Sequence, residues 1–439
     1  MRGAVLPRSS PWAPRLDVAS GDRLVIMVIS ASLVLVPLIR PHLAAFVTPA
    51  DVVMGAAVVM SVLWLGARMH LVRFPLAVPV ALMAGAGALA GMVSAFPKLA
   101  LIAVAQDLIL YGWFLAIVNV CRTAELLEAA IRAWVWSSVV WAGLLVAAVI
   151  GGWSGIAGQT VEGGRAELTF DSPNQAGLYF ALSLMLMLAA RFPRRPRARL
   201  FAGAVLGTAL VLTSSNAALA GVLIALLVVV VVQVRRGSSG AVGAVVATGV
   251  VITLMSASVF AFVHFDVTGA AQRSEISVIN NTLGRADRSR EGRIGIVDQL
   301  RDLYLVGGVV GLGAATTKMT LAAAGDPDPK SAHNDLLASF VERGLIGGVG
   351  IILLILSLIL IAASIVRPLR RSFSTIVPRP SFLVGGLVVI LFASLTHEVL
   401  HFRFVWALLA LIAALHLWGG ANGTEQERGW GSRSGEAAE

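Results

Sequence analysis

The stretch 331-SAHNDLLASFVERGLIGGVG-350 continues without a break into 351-IILLILSLILIAASIV-366. From Leu345 onward the segment is almost purely apolar for about twenty residues, which is the length that a helix needs to cross a bilayer. The part before Leu345 is polar and carries His333, Asn334, Asp335, Glu342 and Arg343. The stretch therefore predicts a membrane-spanning helix whose first turns hold a concentration of chemically active side chains.

The composition predicts the same kind of structure for the whole chain. Of its 439 residues, 57% are hydrophobic and 13% are charged, whereas about a quarter of the residues of a soluble domain are charged. Apolar runs recur along the chain, so we expect an all-α, polytopic integral membrane protein. The net charge of +10 is accounted for by basic residues in cytoplasmic loops, and no basic–aromatic domain indicates nucleic acid as a partner.

Twelve apolar segments are predicted to be transmembrane helices. They are 24–39, 50–67, 74–95, 99–120, 134–152, 173–190, 200–213, 216–234, 241–263, 345–366, 381–396 and 402–418. The seventh and eighth could be one broken helix or two helices that meet at 213-TSSN-216. With a cytoplasmic N-terminus, two spans place every short basic loop on the cytoplasmic side, as the positive-inside rule requires.

This topology divides the chain into five parts. Residues 1–23 are a cytoplasmic tail, 24–263 hold the first nine spans, and 264–344 form a large outer loop that ends in the polar motif. Residues 345–418 hold the last three spans, and 419–439 are predicted to be a disordered cytoplasmic tail. Lysine is rare and alanine, valine and glycine are abundant, which favours a high-GC bacterial genome and hence a bacterial cytoplasmic membrane.

The spacing of His333 and Glu342 bears on how the polar motif folds. The two residues are nine positions apart, and on one continuous helix they would lie roughly on opposite faces. We therefore expect His333 at the start of the helix, with Asn334 or Asp335 near the N-cap. Spacing alone also fits an interfacial helix with ordinary polar ends.

Four motifs occur in an order that resembles one known family. They are Pro173-Asn174 at the start of a span, 213-TSSNAALAG-221 between two spans, Gly292-Arg293 followed by an amphipathic helix and 307-GGVVGLG-313, and His333-Asn334-x7-Glu342-x-Gly344-x2-Gly347. This set resembles the O-antigen ligase and O-antigen polymerase superfamily, which are multispan C-type glycosyltransferases. The resemblance covers roughly residues 170–366, which is less than half of the chain.

The chain departs from the family pattern at three positions. Asn216 and Ala217 stand where the family has Arg and Gly, and Val297 stands where an aromatic residue is common. If the missing Arg helps to hold a diphosphate, another Arg must replace it. The candidates are Arg165, Arg285, Arg288, Arg290 and Arg403.

The resemblance implies transfer of a glycan from a polyprenyl-diphosphate carrier on the outer face of the membrane, without a metal or other cofactor. His333 would be the base or would orient the acceptor, Glu342 would orient His333 or an Arg, and Arg293 would clamp the diphosphate. The acceptor would be a glycan or a glycolipid, and ligation and polymerisation both remain open. Further diphosphate-binding candidates are Arg288, Arg290 and Arg403, and supporting candidates are Asn174, Asn216 and Asn334.

A second polar constellation, 397-HEVLH-401, matches the H-E-x-x-H pattern of zinc proteases. That pattern needs a helix and a third zinc ligand, whereas the predicted topology places the segment in a turn on the outer side. Three interpretations stay open: an intramembrane zinc metalloprotease, a plain polar turn, or a segment that shares a cavity with His333. In the third, His397, Glu398, His401 and Arg403 would line that cavity and support the site, and Arg403 would supply the cation lost at Asn216. A transporter or flippase without chemistry is a further alternative.

Two smaller predictions concern charged residues in or near spans. Gln106 and Asp107 lie within the fourth span, where a carboxylate serves either function or a helix–helix hydrogen bond. Residues 122–132 read as an amphipathic helix on the inner side, in which Glu128 and Arg132 can pair at i,i+4.

Overall fold

A computed structural model of the protein describes residues 20–40, 47–67, 72–158, 165–236 and 286–420, together with residues 269, 272, 273 and 280; the side chains of residues 20, 236 and 286–294 are not described. Within these residues every regular element is a helix. The predicted all-α class is therefore confirmed.

We number the helices in chain order. They are α1 (Ser20–Val34), α2 (Pro49–Ala67), α3 (Ala77–Val93), α4 (Pro97–Val120), α5 (Ala124–Ile150), α6 (Ser154–Ala157), α7 (Pro173–Ala190), α8 (Pro196–Leu212), α9 (Asn216–Arg236), α10 (Ala286–Gly307), α11 (Thr317–Ala323), α12 (Asp335–Ile365), α13 (Arg371–Ile376), α14 (Ser381–Ser394) and α15 (Arg403–Gly419).

Six of the described helices, α2, α4, α5, α7, α9 and α12, are long and apolar enough to cross a membrane. Three shorter apolar helices, α3, α14 and α15, accompany them. Eleven of the twelve predicted spans coincide with helices, and the twelfth, 241–263, lies outside the described residues. The multi-pass character is thus confirmed, while the count of about twelve spans stays a prediction.

Several predicted boundaries differ from the structure, and the first span, predicted at 24–39, is the helix Ser20–Val34. The helix expected from residue 134 begins at Ala124, because the predicted amphipathic segment 122–132 continues directly into the apolar one. The helix expected from residue 345 begins at Asp335, because the polar motif itself is helical. The predicted pair of Glu128 and Arg132 is present at 2.7 Å. Helices α8 and α9 are separate, and residues 213–215 turn the chain between them.

The centre of the bundle is apolar and aromatic. Almost every residue of α15 from Phe404 to Leu415 is buried, and α7 is buried along most of its length. Around them the rings of Trp134, Phe170 and Tyr179 pack against one another and against Phe404. Helices α7 and α15 are therefore enclosed by protein, while outer helices such as α2 expose large apolar side chains.

Helix α12 packs most closely against α3, through small residues. At Gly350 an added Cβ would lie 2.7 Å from the side chain of Met83 and 3.1 Å from its backbone nitrogen. Small residues let two apolar helices approach in this way where lipid offers no hydrophobic driving force. This contact places the middle of α12 against α3, and nearer its start Arg343 contacts Met83 of α3 and Asp107 of α4, so the polar motif lies beside these two helices.

Candidate active site

The polar motif forms the N-terminus of α12. Asn334 is its N-cap, and the Asn334 side chain accepts a hydrogen bond of 3.0 Å from the backbone N–H of Leu337. This confirms the expectation that His333 lies just before the helix with Asn334 near the cap. His333 adopts a φ of 49°, in the left-handed region that a side-chain-bearing residue rarely occupies. Its side chain is exposed, so the sharp turn presents the imidazole away from the helix.

The turn that contains 397-HEVLH-401 is docked onto this helix start. The Asp335 carboxylate accepts hydrogen bonds from the backbone N–H groups of Val399, at 3.0 and 3.1 Å, and of Leu400, at 3.3 Å. Asn334 donates from Nδ2 to the carbonyl of Leu395 at 3.0 Å. Because the acceptors and donors come from both segments, neither can move without breaking bonds to the other.

Glu398 joins the same two segments at His333. Its Oε1 accepts a hydrogen bond of 3.2 Å from the backbone N–H of His333. Burial, together with the charges of Glu342 and Asp335, raises the pKa of Glu398 to about 8. The site thus contains a carboxyl group whose pKa is close to neutral pH, and this group contacts the backbone of His333.

A hydrogen-bonded chain connects this point to the start of α7. The rings of His333 and His397 lie edge to face with 6.0 Å between centroids. The Asn174 amide nitrogen lies 2.6 Å from His397 Nε2, and Asn174 Oδ1 accepts from Arg165 Nη2 at 2.8 Å. The predicted supporting residues Asn174 and His397 therefore contact each other and lie beside His333.

The chain of donors fixes the tautomer of His397. Arg165 can only donate, so Asn174 presents its oxygen to Arg165 and its NH₂ group to His397. His397 Nε2 must then accept, and its proton lies on Nδ1, 3.2 Å from the hydroxyl oxygen of Thr396. That hydroxyl donates to the carbonyl of Ala393 at 3.0 Å, which leaves its oxygen to accept from Nδ1. The Thr396 contact is compatible with a proton on Nδ1, so the two ends of the network agree.

Arg165 also ties this chain to the turn between α8 and α9. It is buried, and its Nε donates to the carbonyl of Thr213 at 3.1 Å. The turn packs against α7 at Gly177, where a Cβ would lie 2.6 Å from the side chain of Ser215. A basic residue from the loop before α7 therefore stands beside the turn in which Asn216 replaces the family's Arg.

A second irregularity interrupts α12 at Gly344, which has a φ of 63° and a ψ of −163°. The break leaves backbone groups without helical partners, and residues 309–313 supply them. Leu312 and Gly313 donate their N–H groups to the carbonyls of Val341 and Glu342 at 3.0 and 2.8 Å, and the Val309 carbonyl accepts from Leu345. The glycine-rich element at 307–313 and the polar motif are therefore held together by backbone hydrogen bonds.

Glu342 is buried and binds the turn that leads into α11. Its Oε2 accepts from the backbone N–H of Ala315 at 2.7 Å, and its Oε1 accepts from the Thr317 hydroxyl at 2.7 Å. Both oxygens are thus engaged by residues 315–317. Glu342 therefore holds this loop in place, and the prediction that it orients His333 or an Arg stays a prediction.

Arg343, the next residue, pairs with Asp107 of α4. Both side chains are largely buried, with 14% and 19% of their surfaces exposed. Arg343 also donates to the carbonyl of Met83 at 3.4 Å. For Asp107 the sequence left open a functional role or a helix–helix hydrogen bond, and the structure shows a helix–helix contact. The same contact brings the guanidinium group of Arg343 to the site.

A cavity of about 310 Å³ lies directly behind the motif, between α3, α4, α12 and the turn before α15. The polar side chains in its wall are Gln106, Asp107, Ser331, Asp335, Ser339, Glu342, Arg343, Glu398 and His401. Of the residues predicted from sequence to share a cavity with His333, Glu398 and His401 line it. His397 instead lines a small cleft beside Asn174.

The remaining predicted site residues lie elsewhere or lack described side chains. Arg403 forms two hydrogen bonds with the Asp51 carboxylate, at 2.7 and 3.0 Å, and does not line the cavity. Asn216 is the first residue of α9. The side chains of Arg288, Arg290 and Arg293, at the start of α10, lie outside the described residues, as does Arg285. The three arginines of α10 therefore stay predictions.

The zinc-protease interpretation of 397-HEVLH-401 conflicts with its conformation. The segment lies in the turn between α14, which ends at Ser394, and α15, which begins at Arg403. The pattern requires two histidines on one face of a helix, and this turn does not provide such a face. Among the described residues no group of three His, Cys, Asp or Glu side chains is arranged to hold a metal ion.

Sequence reasoning missed the roles of Asp335 and Arg343. Asp335 was seen only as a possible cap, yet its carboxylate anchors the turn of Val399 and Leu400. Arg343 could have been identified as an ionisable residue at the head of an apolar span, where charge is costly and usually paired. Its partner Asp107 is 236 positions earlier in the chain, which no local pattern reveals.

Comparison with protein families gives one match. Residues 200–352 match the model of the family described as O-antigen ligase. The match contains the turn at 213–216, the element at 307–313 and the motif at His333, and it confirms the resemblance over about a third of the chain. No curated protein matches the chain.

Proposed function

We propose that this protein is a membrane glycosyltransferase that ligates or polymerises a glycan carried on a polyprenyl diphosphate. The family match supports transfer of glycans, and the apolar helices support a multi-pass membrane protein. The donor, the outer face of a bacterial cytoplasmic membrane as the place of reaction, cytoplasmic termini and independence from metals are our inferences from the motifs and from the predicted topology.

The observation that carries the proposal is the convergence of three motif segments at one point. Asn174 contacts His397, His397 lies beside His333, and Asp335 holds the backbone of Val399. These residues are up to 225 positions apart in the chain, yet they meet next to a polar cavity that Asp335 and Glu398 line. A structural role alone would not require an exposed histidine held at an unfavourable φ in the middle of this network.

The reaction that fits is displacement at the anomeric carbon of the donor sugar. A hydroxyl oxygen of the acceptor forms the new bond to that carbon, and the bond from the carbon to the diphosphate oxygen breaks. Its electron pair leaves with the polyprenyl diphosphate, and the hydroxyl proton passes to a base. We assign the base, or the group that orients the acceptor, to His333. Arg288, Arg290 and Arg293 of α10 are proposed to bind the leaving diphosphate, since the planar guanidinium binds phosphate oxygens in pairs.

The test is His333→Ala in the native host, with lipid-linked glycans and surface polysaccharide analysed beside the wild type and a deletion strain. If His333 is the base, transfer should fall by roughly 10²–10⁴-fold, and lipid-linked glycan should accumulate at unchanged protein level. Short stalled chains would identify a polymerase, and long ones a ligase.

The matched control is His416→Ala. His416 lies in the last turn of α15 and bonds Ser364 near the end of α12, at the opposite end of both helices from the motif. This variant should leave surface glycan at the wild-type level. If His333→Ala is stably produced and its glycans match the wild type, the proposed function is wrong.

A further inference from the structure

The cavity behind His333 has a mixed wall that suits one kind of ligand. Its polar part offers donors, the Gln106 amide and the Arg343 guanidinium, and acceptors, the carboxylates of Asp107 and Glu398. Its remaining wall includes Met83 and the indole of Trp406. A ligand that both donates and accepts hydrogen bonds and also has apolar C–H faces would satisfy all of these groups.

The carboxyl-rich wall disfavours the diphosphate as occupant. Four carboxylic acids, Asp107, Asp335, Glu342 and Glu398, face the cavity together with one guanidinium group, that of Arg343. The guanidinium is already paired with Asp107. A diphosphate in this space would be repelled by neighbouring carboxylates at short range, where water screens poorly. Burial, with smaller contributions from the charges of Glu342 and Asp335, raises the pKa of Glu398 to about 8, so below that pH the repulsion comes from the other carboxylates of the wall.

A metal ion fits the cavity no better. The oxygens of Asp335 and Glu342 already accept hydrogen bonds from backbone N–H groups and from Thr317. In the described part of the chain no three ligating side chains converge on one point. What the carboxylates can still do is accept hydrogen bonds from an uncharged ligand that is rich in hydroxyl groups.

Two groups in the wall have unused hydrogen-bonding capacity. Within the residues that the structure describes, neither the Gln106 amide nor the His401 ring has a hydrogen-bond partner, although the His401 ring packs on Phe402. The volume of about 310 Å³ lies at the lower end of the range of about 300–1,000 Å³ for small-molecule sites. The space is therefore suited to a small ring compound rather than to a long chain.

We propose that this cavity binds the terminal sugar of the acceptor, as an uncharged, hydroxyl-rich ring, and that the diphosphate of the donor stays outside it. The assignment rests on the proposed function and goes further, since it divides the two substrates between two sides of His333. Glu398 connects them, because it lines the cavity and accepts from the His333 backbone. A sugar hydroxyl at Glu398 would lie next to the turn that presents the histidine.

The test uses a single cysteine placed in the cavity wall, Gln106→Cys, in the full-length protein in detergent. Native Cys121 is fully buried and should not react with a water-soluble maleimide, which the wild type verifies. The probes are the two glycans that could carry the acceptor's terminal sugar, one released from the host's lipid carrier and one released from its surface glycolipid, together with inorganic pyrophosphate. We expect saturating glycan to slow labelling by about 10-fold, by mass action, and pyrophosphate to have no effect.

A control cysteine at Ala323, which is exposed at the end of α11, should label at the same rate with either probe. Protection of the Gln106→Cys protein by pyrophosphate would overturn the assignment, because the cavity would then be an anion site. Absence of protection by glycan would overturn it as well. Labelling needs no turnover, so protection together with unchanged glycans in the His333→Ala strain would contradict the proposed function and not the binding site.

A second pair of variants tests the cavity by volume. Ala103 lines the cavity, whereas Ala105, two residues away on α4, is exposed on the outside of the bundle. Ala103→Phe should fill the cavity and reduce transfer at least 10-fold at limiting acceptor, with a smaller loss at saturating acceptor. Ala105→Phe should transfer at the wild-type rate. Equal rates for the two variants would contradict the proposal.

Discussion

The end of the bundle around His333 and the centre of the bundle around α7 and α15 are built by opposite means. At the centre, apolar and aromatic side chains such as Tyr179 and Phe404 fill space against many neighbours. Around His333, a few polar groups hold irregular backbone in place, and Asp335 alone fixes two residues of another segment. Dispersion contacts are individually weak and numerous, whereas the polar contacts near His333 are few, so each one holds a larger part of the local backbone.

The difference teaches where the two regions are vulnerable. At the centre many other contacts remain when one is lost. Such a loss should lower the stability of the protein with little effect on the geometry of the site. Loss of one polar group near His333 should displace a whole loop and lower transfer more than stability. Variants in both regions can test this contrast.

The largest effect is expected for Gly344→Ala. The residue has a φ of 63°, and an added Cβ would lie 2.0 Å from the carbonyl oxygen of Val309, so the element at 307–313 must move away. We expect transfer to be abolished and the melting temperature to fall. Gly143→Ala is the matched control, because a Cβ there meets nothing within 4 Å. Wild-type transfer by Gly344→Ala would show that the contact between the two loops is dispensable.

Asp335→Asn should have the next largest effect. The change removes the negative charge and replaces one of the two accepting oxygens that hold Val399 and Leu400. Charge-assisted bonds of this kind contribute about 1.5–3 kcal/mol each, so we expect transfer to fall by about 10–100-fold. Limited proteolysis of the turn at 395–402 should become faster. Asp328→Asn, in an exposed pair with Lys330, should change neither measurement.

Glu398→Gln should change the pH dependence of stability. Burial, then the charges of Glu342 and Asp335, raises the pKa of Glu398 from 4.5 to about 8. A carboxyl group whose pKa rises on folding stabilises the folded state when protonated, and this contribution is lost as the pH rises from about 4.5 through about 8. The melting temperature of the wild type should therefore fall more steeply over this range than that of the variant.

The Glu398→Gln variant keeps an oxygen that can accept from the His333 backbone. Parallel curves would show that Glu398 does not experience the carboxylates of α12 in the way the geometry indicates.

The smallest effect on transfer is expected at the centre, for Trp134→Phe. The change removes the hydrogen bond of 2.8 Å from Trp134 Nε1 to the Ser183 hydroxyl and leaves a buried polar atom with one partner fewer. A loss of about 1–3 kcal/mol of stability should appear as a lower melting temperature, while the rate per folded molecule changes less than twofold. A large loss of rate would mean that the two regions are not energetically separate.

The sequence alone determined the class of structure, because hydrophobicity and length act locally. Eleven of the twelve predicted spans coincide with helices, and the Asn334 cap follows from a residue type that caps helices at any such position. The resemblance carried by the motifs at 213–221, 307–313 and 333–347 was likewise confirmed by a family match over 200–352. Each of these features depends on a contiguous stretch of residues.

The tertiary structure decided which of these residues work together. Only folding brings Asn174 to His397, Asp335 to Val399 and Arg343 to Asp107, since each pair joins segments separated by 64 or more positions. It also bonds Arg403 to Asp51 and Glu342 to Thr317, two contacts that no local pattern in the sequence indicates. The physical reason is that a hydrogen bond depends on distance and direction between two atoms, and neither is encoded in the local pattern around one of them.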